Sequence, residues 1–276
     1  MDQSEFLRFA IALAKGAGQV VMEFHARGAS AIRWNPSIAT DLKNEADAAS
    51  GRFIQEMIEF TFPYHGIISE EMPDKATASE YQWVVDELDG TIPFSTGISD
   101  HFSVCVALYR LVGGIWEPVL GVTFCPLRNR GQGECYYAEV GRGAFMNGQR
   151  LRCGEETNIN RVRIGLDPGK EDPSVPNRRL RLNKLEARLD GDGGVNCIMR
   201  HGCASVSIAL VAAGRMQAYA ATQLEPWDMA AGAIIAREAG ARVTTLDGAK
   251  EWELGDESIL IVNPVLHGKL LIMLQS

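Results

Sequence analysis

The sequence predicts an α+β fold in which helices and sheets are stacked in layers. Three features lead to this prediction. The chain opens with two amphipathic helical segments, continues with short apolar runs of β-forming residues, and ends with strands and helices in alternation. Because a helix or a sheet must bury its apolar face against another element, such a series assembles into alternating layers.

Apolar residues recur at every third or fourth position over two stretches near the N-terminus, which is the spacing of an amphipathic helix. The two predicted helices cover residues 4–27 and 45–62. Residues 28–44 between them are polar and are predicted to run over the surface. Apolar runs bounded by turn residues then predict strands at 66–69, 82–86, 102–111, 114–125 and 134–140.

A hairpin near residue 150, indicated by the Asn147-Gly148 pair, ends the first half of the chain. Residues 165–194 are rich in Gly, Pro, Arg and Asp, and they are predicted to form a variable joint with one helix at 175–189. Later apolar runs predict strands at 195–199, 216–221, 242–245 and 258–262. Stretches of helical spacing predict helices at 203–214, 227–239 and 264–274.

The composition excludes several classes of protein. Of the 276 residues, 46% are hydrophobic and 22% are charged, as in folded globular chains. The 27 Lys and Arg residues face 35 Asp and Glu residues, and the resulting net charge of −8 argues against a nucleic-acid partner. The apolar runs are shorter than the roughly 18 residues of a membrane span, and the first residues lack the pattern of a secretory signal. We therefore expect a cytoplasmic protein with no membrane partner.

Acidic residues follow two of the predicted strands. Asp86 ends one strand, and a three-residue turn is predicted to bring Asp89 beside it, while Glu70 and Glu71 follow the other strand. A lone acidic pair after a strand is usually part of a solvated turn. Four acids at two strand ends favour a metal site, because carboxylates this close repel each other unless a cation lies between them. Oxygen ligands of this kind suit Mg²⁺.

Two predicted helix starts are further candidates. Asp228 lies in the first turn of a helix rich in small residues, where the ordinary role of an aspartate is that of a helix cap. At Gly202, Cys203 and Ala204, the backbone N–H groups of a helix start can face an anion such as phosphate. Cys203 is predicted to pack or to line the site rather than to react, because a cysteine phosphatase needs a phosphate loop with an Arg that this sequence lacks.

These motifs together resemble the signature of the inositol monophosphatase family. The motifs are Glu70-Glu71, Asp-x-Leu-Asp-Gly-Thr at 86–91, Gly-Arg-Gly-Ala-Phe-Met-Asn-Gly at 141–148 and Trp-Asp-x-Ala-Ala-Gly at 227–232. The resemblance spans nearly the whole chain. It implies a Mg²⁺-dependent, lithium-sensitive phosphomonoesterase, generally a homodimer, with the alternating αβαβα sandwich of the sugar phosphatases. Residues 1–150 are then expected to carry most metal ligands, and residues 151–276 to close the active site of one compact catalytic unit.

The resemblance also implies roles for individual residues, with two or three Mg²⁺ ions in each site. A first ion is assigned to Glu70, Asp86 and the carbonyl of Leu88, and a second to Asp86, Asp89 and Asp228. Glu70 is further assigned to catalysis, with a third, weaker ion. The hydroxyl of Thr91, paired with Asp41, is expected to orient the attacking water. The substrate site is expected to comprise Leu88, Asp89, Gly90, Thr91, Gly202, Cys203, Ala204 and Asp228.

The sequence departs from the family pattern at several positions. Glu87 and Pro93 replace the Pro and Asn that usually flank the acidic motif, and Asn44 replaces a Thr in the loop that begins at Asp41. Ala221 stands where inositol-specific members carry a Glu that bonds the sugar hydroxyls. Loss of such a charged acceptor weakens binding by roughly ten- to a hundredfold, so inositol phosphate is expected to be a poor substrate.

The predicted function is the hydrolysis of a small sugar or polyol phosphate by metal-activated water. Two cations about 3.5–4 Å apart can serve both the attacking and the leaving oxygen of such a reaction. A 3′(2′),5′-bisphosphate nucleotidase, a fructose-1,6-bisphosphatase and a histidinol-phosphate phosphatase are the alternatives within the family. A non-catalytic metal-binding relative is a further alternative, motivated by Asn44 and Pro93.

Overall fold

The computed structural model describes residues 4–26, 33–34, 42–43, 45–167, 186–190 and 193–275. The chain begins with two helices that pack against each other, α1 (Glu5–Ala26) and α2 (Glu45–Thr61). Between them, β1 (Arg33–Trp34) and β2 (Leu42–Lys43) pair as a short antiparallel ribbon. This ribbon lies within the segment that was predicted to be a polar excursion.

A sheet of seven strands follows, and its spatial order is the order of the sequence. The strands are β3 (Gly66–Ser69), β4 (Tyr81–Asp89), β5 (Ser103–Val112), β6 (Ile115–Cys125), β7 (Glu134–Glu139), β8 (Gly143–Met146) and β9 (Gln149–Arg150). The pair β3–β4 is parallel, and the later pairs are antiparallel. A short helix that was not predicted, α3 (Thr91–Thr96), follows β4.

The second half forms a sheet of five strands in the order β11-β10-β12-β14-β13. Its strands are β10 (Arg163–Asp167), β11 (Cys197–Met199), β12 (Ala218–Thr222), β13 (Arg242–Thr244) and β14 (Ser258–Val262). Strand β10 runs parallel to both β11 and β12, and β14 runs antiparallel to both of its neighbours. A 3₁₀ turn (Ile159–Arg161) precedes this sheet, and its helices are α4 (Ala204–Ala212), α5 (Pro226–Glu238) and α6 (Pro264–Gln275).

The elements stack in five layers, which confirms the predicted αβαβα sandwich. Side chains of a strand point alternately to the two faces of its sheet. In β4, Trp83 and Val85 pack with α1 and α2, whereas Val84 belongs to a core shared with α4 and α5. The other side of that shared core is the inner face of the five-stranded sheet, and α6 covers the outer face of the same sheet.

One strand of the second sheet was missed in the sequence. Residues 165–194 were predicted to be a joint, but Arg163–Asp167 forms β10, which lies between β11 and β12. Gly165 interrupts the apolar pattern here because of packing: a Cβ at this position would lie 2.9 Å from Cδ2 of Tyr219. Of the helix predicted at 175–189, residues 186–189 are helical, and 175–185 lie outside the described residues.

In the part of the chain that the structure describes, no helix has both the length and the apolar character needed to cross a membrane.

Candidate active site

Three buried carboxylates converge between the two sheets. Asp86 and Asp89 come from the end of β4, and Asp228 comes from the first turn of α5. One carboxylate oxygen of each lies within 4.8 Å of the others, and all three residues are buried. The structure therefore brings together three of the four side chains to which the sequence assigned metal ions.

An irregularity in β4 places two of these acids on the same face. In a regular strand, residues three apart point to opposite faces. The pairing of β4 with β5 shifts register between Asp86 and Asp89, and Glu87 and Leu88 both point to the side of α1 and α2. The prediction that a turn separates Asp86 from Asp89 is therefore wrong, because strand β4 continues through both residues. The bulge, rather than a turn, brings the two carboxylates to the same face.

Asp86 has the environment of a cation ligand. Its Oδ1 accepts a hydrogen bond of 3.0 Å from the backbone N–H of Leu88, while its buried Oδ2 has no partner among the described residues. Burial, followed by the negative charges of Glu70, Asp89 and Asp228, raises the pKa of Asp86 well above its ordinary value. A divalent cation among these oxygens relieves both the desolvation and the repulsion, so the donor set fits Mg²⁺.

Asp89 is held by the N-terminus of α4. Its Oδ2 accepts a hydrogen bond of 2.7 Å from the backbone N–H of Ser205, and the hydroxyl of Ser205 donates to the same oxygen. The thiol of Cys203 also lies 3.2 Å from this oxygen. Free N–H groups at a helix start stabilise a carboxylate. These bonds tie the acidic end of β4 to the second half of the chain.

Asp228 is both a member of the acidic cluster and part of the capping box of α5, whose N-cap residue is Glu225. It is the third residue of α5, and its Oδ2 accepts a hydrogen bond of 2.9 Å from the backbone N–H of Glu225. This bond fixes the carboxylate at the helix start, which is the ordinary role that an isolated aspartate has there. The convergence with Asp86 and Asp89 adds a second role that the helix pattern alone does not predict.

The backbone after Asp89 turns sharply at Gly90. This residue has φ +87°, and a Cβ there would lie 2.4 Å from the carbonyl oxygen of His101, so no other residue fits without a rearrangement. Helix α3 begins directly afterwards at Thr91, whose hydroxyl donates a hydrogen bond of 3.2 Å to the carbonyl of Leu88. Gly90, Thr91 and the Leu88 carbonyl thus form one continuous turn beside the acids.

The segment predicted to line the substrate site leads into α4. Gly202 has φ +68°, Cys203 is the N-cap residue, and Ala204 is the first residue of the helix. Burial, and to a lesser extent the charge of Asp89, raises the pKa of the Cys203 thiol well above its usual range. A thiol held in its neutral form is not a nucleophile, which agrees with its interpretation as a packing residue.

The structure gives less information on the other residues to which the sequence assigned a role. Glu70 follows β3, is half-buried and is close enough for its charge to affect Asp86, but it lies outside the group of three converging carboxylates. Asp41 and Asn44 lie outside the described residues.

Two acids that received no role in the sequence analysis are buried nearby. The hydroxyl of Ser69 donates a hydrogen bond to the carboxylate of Glu87, and burial raises the pKa of Glu87 to about 7. Asp47 is 4% exposed in the first turn of α2. One turn later in the same helix, the hydroxyl of Ser50 donates to the carbonyl of Glu87. The sequence signal for Asp47 is its place six residues after Asp41, at the end of the segment that also contains Asn44.

Comparison with known proteins decides the family. The model of the inositol monophosphatase family matches residues 2–276. The chain belongs to this family. A relative named inositol-1-monophosphatase, from Rhizobium meliloti, is 37% identical over 217 residues, which cover 78% of this chain and 76% of the relative.

Other members of the family carry a different name. A protein of Pseudomonas aeruginosa named Nus factor SuhB is 32% identical over 249 residues, covering 89% of this chain and 87% of the relative. The solved structure of the extragenic suppressor protein suhB from Bartonella henselae superposes with a TM-score of 0.84 at 27% identity, covering 99% of both chains. Lithium sensitivity, the homodimer, the cytoplasmic location and the absence of a nucleic-acid partner stay predictions.

Proposed function

We propose that this family member is a Mg²⁺-dependent phosphomonoesterase that hydrolyses a small sugar or polyol phosphate. The observation that carries the proposal is the convergence of Asp86, Asp89 and Asp228, all buried, with their carboxylate oxygens within 4.8 Å of one another. Three buried carboxylates are costly to a fold unless a cation is bound. Phosphate monoesters in turn need positive charge for their hydrolysis, because the uncatalysed reaction is extremely slow.

In this proposal, two or three Mg²⁺ ions are held by Glu70, Asp86, the Leu88 carbonyl, Asp89 and Asp228. When bound, Mg²⁺ offsets the negative charge on the phosphate oxygens and makes water a better nucleophile. Residues 1–150 supply most of these ligands, and residues 151–276 close the site through Asp228 and the start of α4. The hydrogen bonds from Ser205 and Cys203 fix the orientation of Asp89 for this role.

The chain's own groups then bind the substrate and orient water. The backbone N–H groups of Gly90 and Thr91 are proposed to donate to the phosphate, and the residues Gly202, Cys203 and Ala204 to line its far side. The Thr91 hydroxyl positions the attacking water together with a carboxylate. Asp41 is the predicted partner of Thr91 in positioning this water, and the buried Asp47 at the start of α2 is the second candidate for the same role.

The test is phosphate release by the whole chain with and without Mg²⁺. The substrates are inositol 1-phosphate, fructose 1,6-bisphosphate, 3′-phosphoadenosine 5′-phosphate and histidinol phosphate, so that the alternatives within the family compete directly. Asp86→Asn is expected to lower turnover at least about 100-fold. Mutating a residue that only hydrogen-bonds to a metal ligand costs up to about 100-fold, and losing a ligand itself should cost at least as much. The exposed Asp190 provides a matched control, and Asp190→Asn is expected to leave turnover unchanged.

Thermal unfolding gives a second readout that does not depend on turnover. Mg²⁺ is expected to raise the Tm of the wild type but much less that of Asp86→Asn, because a cation that binds only the folded state stabilises it. Full activity of Asp86→Asn, or activity indifferent to Mg²⁺ and to chelators, refutes the metal assignment. In the same assay, Asp41→Asn and Asp47→Asn show which carboxylate serves Thr91.

A second candidate function is a non-catalytic, metal-binding protein on the same fold. The observation that favours it is that relatives such as the Pseudomonas aeruginosa protein carry the name Nus factor rather than phosphatase. Stabilisation by Mg²⁺ without phosphate release from any substrate of the panel supports this second candidate. Mg²⁺-dependent release of phosphate excludes it.

A further inference from the structure

We propose that Asp167 is a specificity-determining residue of this site, whose carboxylate accepts hydrogen bonds from hydroxyl groups of a polyol monophosphate. The proposal rests on the proposed function, since it names the part of the same site that binds the organic portion of the substrate. It also selects among the alternatives, because a carboxylate at this place disfavours a substrate whose second group is another phosphate.

The fold places Asp167 at the same sheet edge as the acidic cluster. Strand β10 is parallel to β12, and Asp167, the last residue of β10, is in register with Ala221. Strands that run parallel end at the same edge of a sheet. From this edge the chain continues beyond Ala221 into the turn that delivers Asp228 at the start of α5.

The alternation of β10 points the side chain of Asp167 toward the site. Ile164 and Leu166 belong to the outer core under α6. Gly165 therefore faces inward, and a Cβ built there would lie 3.5 Å from the Cβ of Ser207 in α4. Asp167 is two residues after Gly165, so it shares this inner face, and it is half-buried.

Tyr219 supplies an independent sign of a polar ligand here. It lies in register with Gly165 on the same inner face and is 1% exposed, yet its hydroxyl has no partner among the described residues. Buried hydroxyl groups are nearly always hydrogen-bonded, so an unpartnered one marks a place for a ligand or water. Burial raises the pKa of this hydroxyl well above its ordinary value, and the negative charges of Asp167, Asp89 and Asp228 add to that effect.

The chemistry at this place suits hydroxyl donors. An ionised carboxylate is only an acceptor, whereas a tyrosine hydroxyl both donates and accepts. Ala221, which is in register with Asp167, offers no polar side chain of its own. Hydroxyl groups on the carbons next to the one that bears the phosphate ester can donate to these oxygens, whereas a second phosphate is repelled by the carboxylate.

The test compares two phosphomonoesters that differ in hydroxyl groups. For inositol 1-phosphate, Asp167→Ala is expected to lower kcat/KM by about 10- to 100-fold, which is the range for losing a hydrogen bond to a charged acceptor. For phenyl phosphate, which has no hydroxyl group, kcat/KM is expected to stay within about twofold. Asp167→Glu is expected to recover part of the loss, and Asp190→Ala serves as the control for removing a carboxylate from the surface.

Binding separates this proposal from the proposed function. The probe is the phosphonate analogue of inositol 1-phosphate, in which a methylene replaces the ester oxygen, titrated calorimetrically into the wild type and Asp167→Ala in the presence of Mg²⁺. Weaker binding to the variant supports the role of Asp167 even if the wild type releases no phosphate, in which case only the proposed function fails. Equal binding to both, or an equal loss of kcat/KM on the two substrates, overturns the role of Asp167.

Discussion

His201 shows how the residues around the site control protonation. Its ring lies 4.4 Å from that of His101, centroid to centroid, and its Nδ1 is 3.0 Å from the hydroxyl of Ser207. Burial lowers the pKa of His201 to about 4, with contributions from His101 and from Arg128. The imidazole next to the predicted substrate segment is therefore neutral near pH 7 and acts as a hydrogen-bonding group rather than a cation.

This shift predicts a loss of stability in mild acid. The unfolded chain binds a proton at His201 near pH 6.5, whereas the folded chain does so only near pH 4, so the free energy of unfolding falls as the pH falls between these values. We expect His201→Gln, which keeps a polar group, to lose less Tm between pH 7 and pH 5 than the wild type does. Differential scanning calorimetry at the two pH values measures both differences, and identical losses contradict the prediction.

Sequence patterns identify site residues only when the residues share a motif. Asp86 and Asp89 share one motif at the end of a predicted strand, whereas the metal role of Asp228 was expected only from the family resemblance of the motif at 227–232. Asp167 is a single acid at the end of a strand interrupted by Gly165, and its significance depends on the register of β10 against β12. That register is a property of the folded sheet, because neither strand contains a local pattern that fixes its neighbour.

At the scale of elements, the position of α5 depends on close contact with β6. Gly121 in β6 lies against this helix so closely that a Cβ would be 2.5 Å from the carbonyl oxygen of Ala231 and 3.0 Å from its Cα. One residue after Ala231, a Cβ at Gly232 would be 2.8 Å from Cγ2 of Ile208 in α4. The small residues after Asp228 thus bring α5 near the end of β4, where the other two acids lie.

We expect Gly121→Ala to disturb the acidic cluster although it is not part of it. A methyl group against backbone atoms forces α5 outward, at a cost of about 1–3 kcal/mol in the free energy of unfolding. Urea denaturation measures this cost, and the Tm rise produced by Mg²⁺ is expected to shrink because Asp228 moves away from Asp86.

Gly268 in α6 provides the matched control. A Cβ there meets nothing within 4 Å, so Gly268→Ala is expected to leave Mg²⁺ binding unchanged and to stabilise the helix slightly. An unchanged Mg²⁺ response in Gly121→Ala contradicts the positioning role of this contact.

The sequence predicts the elements that have strong periodicity and misses those shaped by contacts. Helices α1 and α2 and strands β3 and β14 lie within a residue or so of their predicted bounds, because their apolar spacing decides their conformation. The extension of β4 to Asp89 depends on its pairing with β5. Likewise α3 begins at a left-handed Gly90 whose geometry is imposed by His101, a contact distant in sequence.

At the scale of the whole molecule, the two halves of the chain share one core. Its buried residues come from the inner face of the first sheet, from α4 and α5, and from the inner face of the second sheet; they include Val84, Cys105, Tyr136, Ile208, Tyr219, Ile235 and Ile261. Helices α4 and α5 each contact strands of both sheets. The layered order follows from the alternation of elements in the sequence, but the strand order of the second sheet does not, because β12 pairs with β14 across an intervening helix and strand.

This shared core predicts that residues 1–150 do not fold by themselves. Without α4 and α5, the sheet face that bears Val84, Cys105 and Tyr136 is exposed as a large apolar patch, which favours aggregation or a loosely packed state. The carboxylate of Asp89 also loses the bonds from Ser205 and Cys203. We expect the fragment to lack near-ultraviolet circular dichroism and to bind a hydrophobic dye, whereas the full chain unfolds in one transition. A fragment with sharp, dispersed amide resonances and a cooperative melt would show instead that the first sheet and helices α1 and α2 are sufficient for a stable core.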